Sequence, residues 1–460
     1  MMNKNLKLAL GTVLLIFILI ALSFLMLQGS GLYPIPGPRD ILLLAILIAI
    51  LSSSKKAFYW LLLPVALLNA LYTPVGLNFG KPSYSYIMSL FATDAMESKE
   101  FLQQIPFTSY LSAVAIPILL ILFRKISEKC GVFLYKNKLF LCLAIVFAMW
   151  DLAPMKFIQT GYKASVEVGT ELDRLNSFKI NSEWGLSALS HSKYDDYVLI
   201  IGESARKDYH HAYGYPVKNT PFMDNAKGEL VDGFTSAGTN TVSSLHLMLT
   251  KPDTQNWQPN YNLNVVDLVK SAGIQTYWLS NQGAFGEYDT PVSVIANQSQ
   301  YRVFLKIGGY ASNNKSDMEL LPELQKVLHN NELEKRFIVL HLYGSHPMAC
   351  DRLKSDNYPT IFDENQLDIK HHYINCYISS IKKTDDLLAT VYAMLKENQE
   401  KTGRTFSMLY FSDHGMAHNY EGKSIIINNS YFSKLHFDVP LFKISSDDNR
   451  QKIHRTLNPV

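Results

Sequence analysis

Residues 8–27 run through Leu, Ile, Val, Phe and Ala without one charge, about the 20 residues a helix needs to cross the hydrocarbon core of a bilayer. Lys4 and Lys7 precede this run, and four further apolar segments follow within the first third of the chain, at 41–54, 57–77, 107–123 and 139–154. A cleaved leader also starts basic and apolar, but further spans do not normally follow one so closely. Any one of these segments would suit a buried helix of a soluble fold. Five in succession point to a membrane bundle over residues 1–156. The shortest, 41–54, has Arg39 and Lys55 at its ends, where long basic side chains snorkel to the interface.

Basic residues in short loops set orientation. With the N-terminus inside, the loops "SSSKKA" and "RKISEKCGVFLYKNK" are cytoplasmic, and the Pro/Gly-rich 29–40 and the mixed 78–106 lie outside. An odd number of spans then places everything after about Lys156 outside, which in a bacterium is the periplasm. In the second outer loop, "YSYIMSLFATDAMESKEFLQQI" carries apolar residues at helical spacing. It reads as an amphipathic helix on the membrane surface or against the outer domain. A net charge of +3 over 460 residues gives no footprint for nucleic acid.

A polar connector, 157–193, leads to an ordinary globular composition over 194–460. There the runs "YVLII", "IQTYWLS", "RFIVLHL" and "TFSMLYF" alternate with helical stretches, the pattern of a mostly parallel sheet with helices on both faces. Ligands of such sheets bind beyond the carboxyl ends of the strands. After the four runs come Gly202-Glu203-Ser204, Asn281-Gln282, Gly344-Ser345-His346 and Ser412-Asp413-His414-Gly415. Singly these are weak signals. An Asp-His pair more often makes a turn, and Glu203 beside Ser204 could simply cap a helix. Together, at one edge of one sheet, they suit a divalent cation. Glu203, Asp413 and His414 offer the donors zinc takes, with Ser204 as the fourth ligand. A hydroxyl held on zinc is easier to deprotonate, which makes Ser204 the candidate nucleophile.

"VLIIGESARKDYHHAYGYPVKNTPFMD", "AGTNTVSSLHLMLT", "LHLYGSHP", "YINCYISSIKKTDDLL" and "YFSDHG" resemble, in order and spacing, the motifs of the membrane-bound phosphoethanolamine transferases of the alkaline phosphatase and sulfatase superfamily. The resemblance spans nearly the whole chain and implies that family's layout, a five-helix transmembrane bundle followed by an alkaline phosphatase-like α/β domain. It implies transfer of phosphoethanolamine from phosphatidylethanolamine to an envelope glycolipid or glycan at the bacterial inner membrane, through a covalent intermediate on Ser204. The implied cofactor is Zn2+, one ion or two, ahead of Mn2+. By the same resemblance Glu203, Asp413 and His414 match metal positions, His346 a contact to the transferred group, and Thr239, Thr241 and Asn281 the polar lining of the pocket.

Three departures stand out, the first being that many members have threonine as the nucleophile where this chain has Ser204, with the hydroxyl kept in both. The segment "NQGAFGEYDTPVS" has no lysine where members commonly contact phosphate. Ile426 occupies a position that is histidine in many members, which leaves His418, or else His436, to substitute. Ser204 is followed by Ala205 and Arg206 rather than the x-Pro-x-Arg of sulfatases, which disfavours sulfate ester hydrolysis. Cys350 and Cys376 both fall in the outer half, where a disulfide is permitted; such a bond would brace the loop after His346, and two free thiols are the alternative. A phosphoglycerol transferase using phosphatidylglycerol is the second reading of the site, and a non-catalytic membrane scaffold or sensor is the reading from another class.

Overall fold

The computed structural model describes residues 4–456 apart from 85, 88–92, 94, 132–152, 178–179, 186, 188, 190, 284–290, 307–314, 331–333, 348, 364–366, 422–423, 428–432 and 449–452. The chain divides into two compact units, Met1–Ile87 with Ile105–Val168 and Met88–Gln104 with Gly169–Val460. The middle of the second outer loop therefore belongs with the second unit. It forms the expected helix, Ala95–Gln103, whose Glu97 lies 3.8 Å from the buried Lys306 ammonium.

In the first unit the apolar runs become helices Lys4–Gly29, Pro38–Ser53, Lys55–Phe79 and Phe107–Cys130. Leu22, Leu44, Ile48, Ala66, Ile116 and Leu120, drawn from all four, form its core. Val13, Phe17 and Leu71 point outward, each more than 60% exposed, an apolar exterior that suits lipid and not water. Where the first and third of these helices meet, a Cβ on Gly76 would lie 2.0 Å from the Gly29 carbonyl oxygen. Only glycine permits that approach, the usual device of membrane helix contacts. Arg124 is buried among these helices, but its guanidinium donates to the Ser52 carbonyl (2.7 Å) and lies 4.7 Å from the Phe58 ring centre.

Among the described residues three helices are long and apolar enough to cross a membrane: Ala9–Gly29, Lys55–Phe79 and Phe107–Cys130. The expected five-helix count is thus only partly matched. Segment 41–54 lies in Pro38–Ser53, whose 16 residues span about 24 Å at 1.5 Å each, short of the bilayer core. Segment 139–154 falls outside the described residues up to 152. The expected connector opens as a helix, Ala153–Ser177, because Phe157, Ile158, Tyr162 and Val166 recur at helical spacing.

The second unit is built on an eight-stranded sheet. Its strands are β1 Asp196–Gly202, β2 Glu229–Asp232, β3 Gln275–Ser280, β4 Tyr301–Phe304, β5 Arg336–His341, β6 Phe406–Ser412, β9 Leu441–Ser445 and β10 Ile453–Thr456, while β7 His418–Glu421 and β8 Ser424–Ile427 pair in a separate antiparallel hairpin. The order across the large sheet is β10-β2-β9-β6-β1-β5-β3-β4. The four strand-like runs of the sequence are its central neighbours, β6-β1-β5-β3, all parallel. β9 runs antiparallel to both β6 and β2, which makes the sheet mixed. Val198, Ile200, Ile338, Leu340 and Met408 pack on one face with Leu387, Leu388 and Val391 of the helix Ile369–Thr402. On the other face Ile201, Trp278, Val339 and Phe411 pack with Leu245, Val266 and Ile295 of three shorter helices. Strands buried on both faces read as continuous apolar runs, which is why these four were visible in the sequence.

At the amino end of the sheet, Asp196 and Arg336 are register partners on β1 and β5. Both are 1% exposed and joined by two hydrogen bonds, of 2.6 and 2.8 Å. Arg336 also donates to the Val327 carbonyl, and Arg404 adds a second guanidinium to Asp196.

Candidate active site

The candidate cluster forms where β1 and β6 end side by side, with Gly202 opposite Ser412. The next residue of β1 is Glu203 and of β6 is Asp413, so adjacent parallel strands deliver two carboxylates to one point. The backbone closes the junction, since Asp413 N donates to the Gly202 carbonyl and Ser345 N, beyond β5, to the Glu203 carbonyl. Ser412 Oγ accepts from Ala205 N and donates to the His414 carbonyl. Gly344 lies at φ +48°, and a Cβ there would come 2.9 Å from Glu203 N. This glycine therefore meets two demands, a left-handed turn and a backbone contact.

Glu203, Asp413 and His414 are buried, and one donor atom from each lies within 4.8 Å of the others. His414 Nδ1–H donates to the Gly415 carbonyl at 2.6 Å, which turns Nε2 toward Glu203 Oε1 (3.2 Å) and Asp413 Oδ2 (3.6 Å). Such an orienting bond typically supports a metal-ligating histidine. Asp413 Oδ1 accepts from Ser204 N and His414 N, whereas Oδ2 is buried and accepts no hydrogen bond. Burial and the repulsion of Glu203 push the Asp413 carboxyl well up. Burial would raise Glu203 too, but the His414 imidazole holds it below the ordinary carboxylate range. His414 is held up at about 9, against its burial, by the two carboxylates. Two buried acids around one imidazole, with a carboxylate oxygen left over, form a set that a divalent cation satisfies.

Two hydroxyls converge on Glu203. Ser204 Oγ donates to Oε1 at 2.6 Å, and Thr241 Oγ1 donates to Oε2 at 2.8 Å. Their settings differ. Ser204 is 1% exposed, stands at φ +56°, a costly conformation for a residue with a Cβ, and has its carbonyl bound by Tyr377 Oη. Thr241 is half-buried and is the first residue of the helix Thr241–Met248. Asn240 caps that helix by accepting from Ser243 N, and the Asn240 N–H donates back to Ser243 Oγ. Ser244 Oγ fastens the helix to the Asp413 carbonyl at 2.6 Å. The free amides and dipole of a helix start attract an anion. Here that start opens beside the carboxylates.

The other expected residues divide. His346 stacks on the Tyr343 ring, centres 4.8 Å apart, and its imidazole is near enough to Glu203 to help hold that carboxyl down. Its carbonyl is held by Arg352. Thr239 is buried just ahead of the Asn240 cap. Asn281 faces away from the cluster, donating to the Lys315 carbonyl and to Asp317 Oδ1, and its neighbour Gln282 reaches Glu203 Oε2 at 3.4 Å instead. A one-residue step along an extended chain reverses the side-chain direction, which is the reason for the exchange. His418 is buried among the rings of Tyr209, Tyr373 and Tyr377. Its Nδ1 accepts from Arg206 Nη1 at 3.3 Å, and burial, with Arg206 and His436, lowers it to about 3. The His436 carbonyl accepts from Gly415 N, bracing the loop after His414.

The sequence reading passed over Ser244 and gave no role to Gln282 and Ser412, though it named both past strand ends; all three brace the residues of the cluster. It also passed over the Asn240-to-Ser243 capping box, which marks Thr241 as a helix start.

Known proteins resemble this chain in sequence and in fold. The sulfatase family profile matches residues 195–460, more than half of the chain. A Haemophilus influenzae protein assigned as a phosphoethanolamine transferase is 55% identical over 404 residues, 88% of this chain and 83% of that protein. The phosphoethanolamine transferase OpgE of Escherichia coli is 33% identical over 418 residues, 85% of this chain and 75% of its own. In fold, the integral membrane lipooligosaccharide phosphoethanolamine transferase A of Neisseria meningitidis superposes with a TM-score of 0.64 at 17% identity, over 96% of this chain and 89% of that one. The carboxylate and imidazole cluster at the sheet's carboxyl edge and the length of these matches lead to one conclusion: the chain belongs to the sulfatase family and, within it, to the phosphoethanolamine transferases.

Proposed function

We propose that this protein, set in the bacterial inner membrane with its second unit in the periplasm, moves phosphoethanolamine from phosphatidylethanolamine to a hydroxyl of an envelope glycolipid or glycan. Thr241 carries the group in transit. Thr241 Oγ1 attacks the phosphorus of the donor, the diacylglycerol oxygen leaves, and the acceptor hydroxyl then displaces threonine from the phosphothreonine. The observation that carries this assignment is the Thr241 hydroxyl itself, half-buried, at a helix start and 2.8 Å from a carboxylate of the cluster. Ser204 touches the same carboxylate, but a lipid headgroup has no approach to an oxygen in a residue 1% exposed.

Zinc fits the donor set of Glu203, Asp413 and His414, because Asp413 Oδ2 is buried without a hydrogen bond. A bound ion of this kind supplies positive charge for the phosphoryl oxygens and lowers the pKa of a hydroxyl it touches. The chain's own groups do the positioning. Glu203 orients the Thr241 hydroxyl, the opening amides of Thr241–Met248 face the phosphate, and His346 is placed to contact the transferred group.

The test is to quench the detergent-purified protein after mixing it with vesicles of phosphatidylethanolamine or of phosphatidylglycerol, digest it and map adducts by mass spectrometry. Phosphoethanolamine on the peptide containing Thr241, with release of diacylglycerol, is the expected result. An adduct on Ser204 would overturn the nucleophile, and a phosphoglycerol adduct the donor. A second expectation follows from the packing at Gly344. Gly344→Ala should push Glu203 off its position and lower the turnover number about 100-fold, with a fall of a few degrees in thermal midpoint from the strained left-handed turn, read from initial rates and scanning fluorimetry.

A further inference from the structure

Away from the catalytic cluster, Cys350, Cys376 and His372 bring three metal-ligating atoms within 4.8 Å of one another. In the structure Cys350 and Cys376 are joined in a disulfide, so the sulfurs are spent. The third member is the one a plain disulfide has no use for. His372 Nε2 lies 3.5 Å from Cys350 Sγ, and two ligands at tetrahedral angles about zinc, with Zn–N ~2.0 Å and Zn–S ~2.3 Å, stand about 3.5 Å apart. His372 and Cys376 are four residues apart on the helix Ile369–Thr402, the spacing that puts two side chains on one helix face. Cys350 comes from the facing helix Ala349–Ser355. Two elements thus present a Cys2His set, half-buried at Cys350 and His372 and buried at Cys376.

We propose that Cys350, Cys376 and His372 form a redox-gated site for a thiophilic divalent cation, which replaces the disulfide as the tie between these two helices once the bond is reduced. A dithiol reductant opens the bond by exchange and leaves as its own disulfide, so two electrons pass to the cysteine pair. The two thiols then lose their protons to solvent as the cation binds both thiolates and His372 Nε2, with water as fourth ligand. The tie matters because each end supports the catalytic cluster. Arg352, two residues after Cys350, holds the His346 carbonyl. Tyr377, next to Cys376, accepts from Arg206 N and donates to the Ser204 carbonyl.

Cobalt(II) reads this site separately, since thiolate-to-cobalt charge transfer absorbs in the near ultraviolet and the catalytic cluster holds no sulfur. Full-length protein in detergent is reduced anaerobically, freed of reductant and titrated with Co2+. Wild type is expected to gain the charge-transfer band at one equivalent in the reduced state and not in the oxidised state. The Cys350→Ser/Cys376→Ser variant, which keeps Cys130 and Cys142, should lack it. His372→Ala keeps the disulfide and so folds in the oxidised form; after reduction it should bind Co2+ at least about tenfold more weakly. No band in reduced wild type, a band that survives loss of both cysteines, or unchanged affinity in His372→Ala would each overturn the proposal.

Discussion

Thr241→Ala is expected to abolish transfer, lowering turnover by about three orders of magnitude or more, with the fold intact. The reasoning is local. Oγ1 makes a single hydrogen bond of 2.8 Å to Glu203, while the helix start is capped by Asn240 and pinned by Ser244, neither of which the substitution touches. Thr241→Ser keeps the hydroxyl and should retain most activity, which separates chemistry from packing. Ser204→Ala should remove one partner of Glu203 Oε1 but leave the covalent adduct on Thr241. Its cost is expected to be about 10-fold, in line with one lost charge-assisted hydrogen bond. The measurement is the rate of diacylglycerol release with adduct mapping for all three variants. Full activity in Thr241→Ala, or loss of the adduct only in Ser204→Ala, would reverse the roles of the two hydroxyls.

The second large effect lies at the other end of the sheet. Asp196→Ala should destabilise the second unit by about 3–5 kcal/mol, because it strands the Arg336 guanidinium without its carboxylate in the interior. Arg336 is 1% exposed and so cannot turn out to solvent. At the usual ratio for a unit of this size, the thermal midpoint falls by about 10 °C. The paired change Asp196→Val with Arg336→Met, which removes the buried pair and leaves Arg404 to its carbonyl partners at Asp195 and Glu334, should cost much less than Asp196→Ala. Scanning fluorimetry of the purified variants checks both. Equal losses in the single and paired variants would show that the cost is packing and not an unpaired charge. Turnover below the new midpoint should be nearly unchanged, since Asp196 opens β1 and the catalytic cluster lies past its far end.

Much of this protein is legible along the chain. Each of the four central strands announces itself, because a parallel strand buried on both faces must be a short apolar run whatever its neighbours are. The outer strands do not. β2, β4 and β10 have four residues each, too few to carry a period, and the direction of β9 depends on partners far away in sequence. Of the site, the residues just past strand ends could be named, since strand ends and ligand sites coincide in such sheets. Asn281 illustrates the limit: of the two residues past β3, the one whose side chain is aimed at Glu203 is Gln282.

The order of residues alone determined that an apolar first third precedes an α/β second unit, and that Glu203, Asp413 and His414 each follow a short apolar strand. Those are properties of composition and period, which a chain carries wherever it goes. Which hydroxyl faces the open side of the site was a different kind of fact. Ser204 is adjacent to Glu203 in the chain and Thr241 is 38 residues away, yet both meet the same carboxylate. Adjacency along the backbone fixes only that two residues are near. Exposure is set by what packs over them, and in this protein the sheet buries the serine while the Asn240 cap presents the threonine at the start of a helix.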